Sequence, residues 1–451
     1  MRDAPDTHHL QIDALVDDSK RLRSSRRTIL RRAAALGLSA PALASVLAQV
    51  QPAAAQSGPV TVTWFAARDQ SGFSPQQVEA FNAANPSIQI SYQEQGATTT
   101  DLHDRFVTVA TAQDASADLV SMDVPFVPEF AAAGWTIPVA DVVPEAERAE
   151  FFEATIAGAS YEDQLYGVPW YNNGPGLFYR KDLLDGANLQ APKTYDELLA
   201  AAKQLQTPEV AGFIFQAAQT EGGMISWLEY LWGYGGRIVD DANAIVLDEG
   251  TAGADALTRL MSFIYTDTIS PESCLTMQTG GDAESVFLAG RAVFLRMWMT
   301  SANAMEGPDS AVKGKWDVTT LPSQTGEQPG PGCLGTWNLG ISAFSQRQEE
   351  TREVIRWFTS LEQQTARYLG NGNLPARSAV FDAAEVAAKY TYVDRLRPAF
   401  EALRPRPVTP FYSQMSADAL QPNFSAAMTR QKEPQQAIED MAQTLREIVG
   451  E

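Results

Sequence analysis

From residue 60 onward, apolar stretches of strand length alternate with stretches of helical character, and this alternation restricts the fold more than any other feature of the chain. VTVTWF at 60–65, IQISY at 88–92 and LVSM at 119–122 read as strands. Between them, Ser74-Pro75 opens a helix to about Asn85, with the serine as cap and the proline in the first turn, and a second helix covers about 102–113. Strands separated by helices build an α/β sheet. Farther on, Thr194-Tyr195-Asp196-Glu197 has capping-box spacing and starts a helix through Gln206. A strand at 212–216 follows, then helices around 226–232 and 253–265. The C-terminal part reads as mostly helical, including 349–368 and 434–448.

At 451 residues the chain exceeds one ordinary core, so two domains of similar size are expected. No Ser/Gly linker separates them, which fits two lobes joined by several strand crossings rather than two independent beads. With 45% hydrophobic and 20% charged residues the composition is that of a soluble globular protein. The net charge is −21, and residues 56–451 carry 26 basic against 50 acidic side chains. Such a surface repels nucleic acid and anionic lipid, so neither is an expected partner.

The N-terminal region reads as an address. Ser25-Arg26-Arg27-Thr28-Ile29-Leu30-Arg31 resembles a twin-arginine export motif, a mildly apolar run at 33–50 follows, and Ala53-Ala54-Ala55 offers a small-residue cleavage site. A basic amphipathic helix is the rival reading, but Gly37 and Pro41 interrupt the run. Residues 1–55 are therefore expected to be a removable signal that releases a periplasmic protein. The run is too broken for a retained membrane span, and no later window is apolar enough for one.

Cys274 and Cys333 are the only cysteines; they are too far apart for a CxxC site, and their spacing does not decide whether they pair. No cysteine follows the apolar run to take a lipid anchor. Beyond the signal only His103 remains, within DLHDR at 101–105, where a solvated helix histidine is expected. Neither a metal nor another cofactor is expected. GxSxG, HExxH and GxxxxGK[ST] are absent.

The richest stretch is YGVPWYNNGPGLFYRKDLL at 166–184. Its glycines and prolines place Trp170, Tyr171, Asn172 and Asn173 on an exposed crossover that feeds a strand around 177–179. Ring faces beside amides suit a polyhydroxylated ligand, because a sugar offers apolar C–H faces and a belt of hydroxyls. A buried aromatic turn is the alternative reading.

This stretch resembles the extracellular solute-binding proteins of sugar ABC transporters, in particular the branch that takes trehalose, maltose and related disaccharides. Four further stretches carry the same resemblance in the family's order: ADLVSMDVPFVPEFAAAGWTIPV at 117–139, FLAGRAVFLRMWMT at 287–300, GCLGTWNLGIS at 332–342 and RPRPVTPFYSQMS at 404–416. The resemblance implies a two-lobed periplasmic-binding-protein-like fold of the class II type, with the ligand in the cleft. Crossings are expected near 169–174, 336–340 and 404–407. One lobe would comprise 56–170 and 341–403, the other 171–340 and 404–451.

By this resemblance Trp298 and Trp337 stack on the sugar, Gly335 lets backbone approach it, and Arg406 reaches into the cleft, with Arg404 the lesser choice. Asp123 is either a sugar-hydroxyl acceptor or the cap of the helix beginning near Pro125. Tyr171, Asn172 and Asn173 complete the surface, Asn173 standing where relatives often place an aspartate. Arg68 and Asp69, ending the first strand, are weaker members, and Arg377 reads as structural. The implied function is a non-catalytic, monomeric receptor that hands a disaccharide to the transmembrane subunits of an ABC permease. The rivals are the same fold taking a polyamine, iron complex or oligopeptide, and a secreted glycoside hydrolase.

Overall fold

The computed structural model describes residues 58–451 apart from Gln70, Ala97, Thr98 and Asp241. The export motif and cleavage site lie outside the described residues. The strands that position the site are β1 (Val60–Ala66), β2 (Ile88–Glu94), β3 (Leu119–Asp123), β4 (Val168–Tyr171), β5 (Pro175–Arg180), β6 (Ala211–Ile214), β7 (Ala292–Trp298), β8 (Trp316–Thr319), β9 (Gly332–Cys333), β10 (Trp337–Ile341) and β11 (Leu403–Arg404).

They form two principal sheets, each the base of one lobe of an α/β fold. The first has the order β2-β1-β3-β10-β4 and the second β8-β5-β7-β6. In the first, β1 and β3 run parallel, whereas β10 returns antiparallel between β3 and β4. Both faces of this sheet are covered. Val62, Trp64 and Leu119 enter one core, while Phe65, Val120 and Met122 enter another. That explains the nearly continuous apolar character of β3, since a strand buried on both sides has no reason to alternate.

The chain changes sheet across residues 172–174, between β4 and β5. It returns through β9, whose partner is the parallel β11, and re-enters the first sheet as β10. Val124, Leu334 and Leu403 form a small apolar cluster where these segments meet. The stretch 341–403 divides its packing. Val354, Ile355 and Phe358 join the first sheet's core, but Tyr368, Leu374, Phe381 and Phe400 join the larger core that contains the second sheet.

Local expectations meet two corrections. Ser74 is not the cap of its helix, which spans Phe73–Ala84 with Gly72 at the N-cap; the Ser74 N–H instead donates to Asp69 Oδ2 at 2.6 Å. The helix expected over 349–368 is two helices, Gln348–Phe358 and Leu361–Asn371, because Ser360 caps the second by accepting from Gln363 N–H. The Thr194–Glu197 capping box is present as expected.

Candidate ligand-binding site

At one end of the first sheet, Trp337 is opposite Asp123 on one neighbouring strand and Tyr171 on the other, so the three residues stand in a row. The register slips between Trp337 and Asn338, a local irregularity at the start of β10. The Tyr171 and Trp337 rings stack with centroids 6.4 Å apart and planes 26° from parallel. Burial pushes the Tyr171 phenol far above its ordinary pKa, which keeps it a neutral hydroxyl.

Asp123 does not cap the helix Phe126–Ala132: the N-cap there is Pro125, without a side-chain cap hydrogen bond. Its Oδ1 accepts instead from Val124 N–H at 2.8 Å and from Arg406 Nη2 at 2.6 Å. Arg406 is 4% exposed, whereas Arg404 is exposed, so the chosen arginine of the pair is the one turned inward. Its Nη1 donates to Glu221 Oε1 at 3.0 Å. Burial opposes the charge on Arg406, yet the carboxylates of Asp123 and Glu221 hold the guanidinium protonated well above its ordinary range.

Glu221 was not singled out in the sequence. It is the first residue of the helix Glu221–Gly233, capped by Thr220, and also accepts from Tyr412 O–H at 2.8 Å and from Ser416. The legible signal was a threonine followed by an acid at a helix start; its partners are nearly two hundred residues away.

On the second sheet, Trp298 is opposite Pro175 at the end of β7, and the Arg296 guanidinium lies 4.4 Å from the Trp298 ring centre. Gly335 N–H donates to Asn173 O at 2.8 Å. A Cβ on Gly335 would stand 3.1 Å from Asn173 O and 3.3 Å from Trp298 Cζ3. The glycine thus lets three chain segments converge. Trp170 and Asn172 correct the expectation of an exposed crossover: Trp170 is buried within β4, and Asn172 is a buried clamp whose N–H donates to Leu374 O at 2.6 Å and whose Oδ1 accepts from Asn173 N–H and Thr336 O–H. Asn173 Oδ1 is buried without a hydrogen-bond partner among the described residues.

Asp69 accepts from the N–H groups of Ser71 and Ser74, at 2.9 and 2.6 Å. Burial alone would raise its pKa, but the hydroxyls of Ser71 and Ser74, the Ser74 N–H and the Arg367 charge outweigh it and hold the carboxyl below its ordinary value. Arg68 beside it is exposed. Arg367, another residue the sequence did not announce, connects this corner to the aromatic row. It donates to Ser74 Oγ and Gln77 Oε1 and lies 4.0 Å from the Trp170 ring centre and 5.2 Å from that of Tyr171. Burial brings its pKa down to about 10.

His103 corrects the expectation of a solvated histidine. Its side chain is 17% exposed, with Nε2 2.8 Å from Glu129 Oε1 and Nδ1 2.9 Å from Asp104 Oδ1. Ser413 O–H donates to the other Glu129 oxygen at 2.6 Å. The carboxylate therefore stands between hydroxyl and imidazole, the reverse of the order in which a histidine activates a serine. Arg377, expected to be structural, is buried and pairs with Glu150 while its Nε donates to Thr359 O.

A family model for bacterial extracellular solute-binding proteins matches residues 67–365. The chain belongs to this family. Among the relatives of this solute-binding protein is a probable ABC transporter-binding protein of Deinococcus radiodurans, 26% identical over 318 residues, covering 68% of this chain and 74% of the relative. The galactooligosaccharide-binding protein of Bacillus subtilis is 25% identical over 307 residues, covering 65% and 68%. Of solved structures, maltose-bound MalE3 of T. maritima superposes with a TM-score of 0.80 at 30% identity over 86% of this chain and all of that one. The solute-binding protein has no helix among its described residues that is long and apolar enough to cross a membrane.

Proposed function

We propose that this solute-binding protein captures a disaccharide of the maltose or trehalose kind and delivers it to the transmembrane subunits of an ABC permease. The observation that carries the reading is the row Asp123, Trp337, Tyr171, which sets a carboxylate beside two stacked rings. Rings take the apolar faces of a sugar and charge-assisted hydrogen bonds take its hydroxyls. Trp298, Asn173 and Arg406 supply the second side, and Asp69 with Arg68 the outer corner. The likeness to a maltose-bound protein at 30% identity supports a sugar as the ligand.

A cationic ligand is disfavoured by the charge arrangement. Arg406 engages both Asp123 and Glu221 and offsets one of their two negative charges, which leaves a single net negative charge where a polyamine needs several free carboxylates. Delivery follows from lobe closure around the sugar, with the closed form read by the permease. Residues 1–55 serve as a twin-arginine signal, and the protein acts as a periplasmic monomer without catalysis. A thermal-shift panel with trehalose, maltose, sucrose, glucose and spermidine tests the ligand class, since a ligand that binds only the native state raises its melting temperature. A shift with a disaccharide supports the proposal; a shift with spermidine alone refutes it.

A further inference from the structure

A charged pair lies inside the second lobe, and its placement is not explained by stability. Arg296 is 5% exposed and Glu229 4% exposed. Arg296 Nε donates to Glu229 Oε2 at 2.8 Å, and Nη2 donates to the other oxygen, a two-pronged contact that fixes the guanidinium plane. Taking both charges out of water is costly, and apolar residues of similar volume often fill such a site at equal or greater stability. The pair therefore calls for a use beyond filling the core.

Strand geometry supplies one. Residues i and i+2 of β7 point to the same face, so Arg296 shares its face with Trp298, and its guanidinium lies over that ring at 4.4 Å. Glu229 reaches a second piece of the site as well: its Oε1 accepts from Cys333 N–H at 3.1 Å, two residues before the Gly335 that lies against Trp298. One carboxylate thus ties together the strand that carries Trp298 and the segment that abuts it. Arg296 is the only link in this set with a flat cation to hold a ring by its face.

We propose that Arg296, locked by Glu229, is a positioning residue that sets the orientation of the Trp298 ring for stacking on the ligand. The role rests on the reading of Trp298 as a stacking ring, but the ring's orientation itself does not. Arg296→Lys keeps the positive charge and removes the planar fork and its stacking.

The test uses the protein labelled with 5-fluorotryptophan, with the Trp298 fluorine resonance assigned through Trp298→Phe. In Arg296→Lys without ligand, the Trp298 resonance is expected to move beyond its linewidth while those of Trp64 and Trp316 stay in place. Maltose affinity, measured by calorimetry, is expected to fall about tenfold in Arg296→Lys and not to fall further when the same change is made in Trp298→Ala. An unmoved Trp298 resonance, or an equal loss of affinity in both backgrounds, overturns the proposal. If the parent protein binds no sugar, the functional reading fails by itself and the fluorine resonance still decides the positioning role. Should Arg296→Lys not fold, the apolar replacement Arg296→Met with Glu229→Gln is read for the same displaced resonance.

Discussion

Arg406 Nη2 donates to Asp123 Oδ1 at 2.6 Å although the two residues are 283 positions apart. The contact ties the end of a first-sheet strand to the segment following the last short strand, and Glu221 adds the start of a second-lobe helix to the same guanidinium. The polar centre of the site is therefore an assembled network rather than a local motif.

Breaking this network from one side should be costly. Arg406→Leu leaves Asp123 and Glu221 without their cation, and because these acids are 15% and 33% exposed the loss is expected below the cost of a fully buried pair, at about 1–3 kcal/mol. Urea denaturation is expected to show a loss of that size with an unchanged m-value. A change within about 0.5 kcal/mol would show that the carboxylates are adequately solvated without Arg406.

His103 should impose a pH dependence of definite sign. Burial lowers its pKa, but the hydrogen bonds its ring donates to Glu129 and Asp104, and the charges of those carboxylates, outweigh burial and leave it above the ordinary 6.5. A folded-state pKa above the unfolded one stabilises the protein fully below about 6.5, and the contribution disappears as pH rises through the folded value. His103→Gln is expected to remove this fall in stability across the neutral range, as read from denaturation midpoints at pH 6 and pH 9. An identical pH profile in parent and variant would contradict the pairing.

Both cysteines are free and buried. Burial raises the Cys274 thiol to about 11 and the Cys333 thiol to about 12, so little thiolate exists at neutral pH and access is blocked. A thiol reagent such as DTNB is expected to react with neither in the native protein and with both after guanidinium unfolding without reductant. Absence of reaction in the unfolded chain would mean that the two had paired.

β1, β2, β3, β5 and β6 were legible as apolar runs bounded by breakers, whereas β4 was read as a crossover and the two-residue β9 and β11 carry no run to read; β3 was legible for a particular reason: both its faces are buried. The site divided along the same physical line. Tyr171, Trp298 and Trp337 stood out as large rings inside the family-like stretches, which also singled out Asp123 and Arg406. Glu221, Arg367 and Glu229 stayed hidden, since an acid or arginine on a helix resembles any solvated surface residue until its distant partner is known. The packing contacts of Asn172 and Gly335 were not legible either: the amide clamps the crossing, and the glycine admits Asn173 and Trp298 where a side chain would collide.

The most direct test of the account is isothermal titration of residues 56–451 with maltose and trehalose, alongside sucrose and glucose, for the parent and for Trp337→Ala. The account predicts micromolar or tighter binding of a disaccharide by the parent and a loss of about tenfold or more in Trp337→Ala, which removes the ring between Asp123 and Tyr171. No heat with any of the four sugars, or an affinity unchanged in Trp337→Ala, would contradict it.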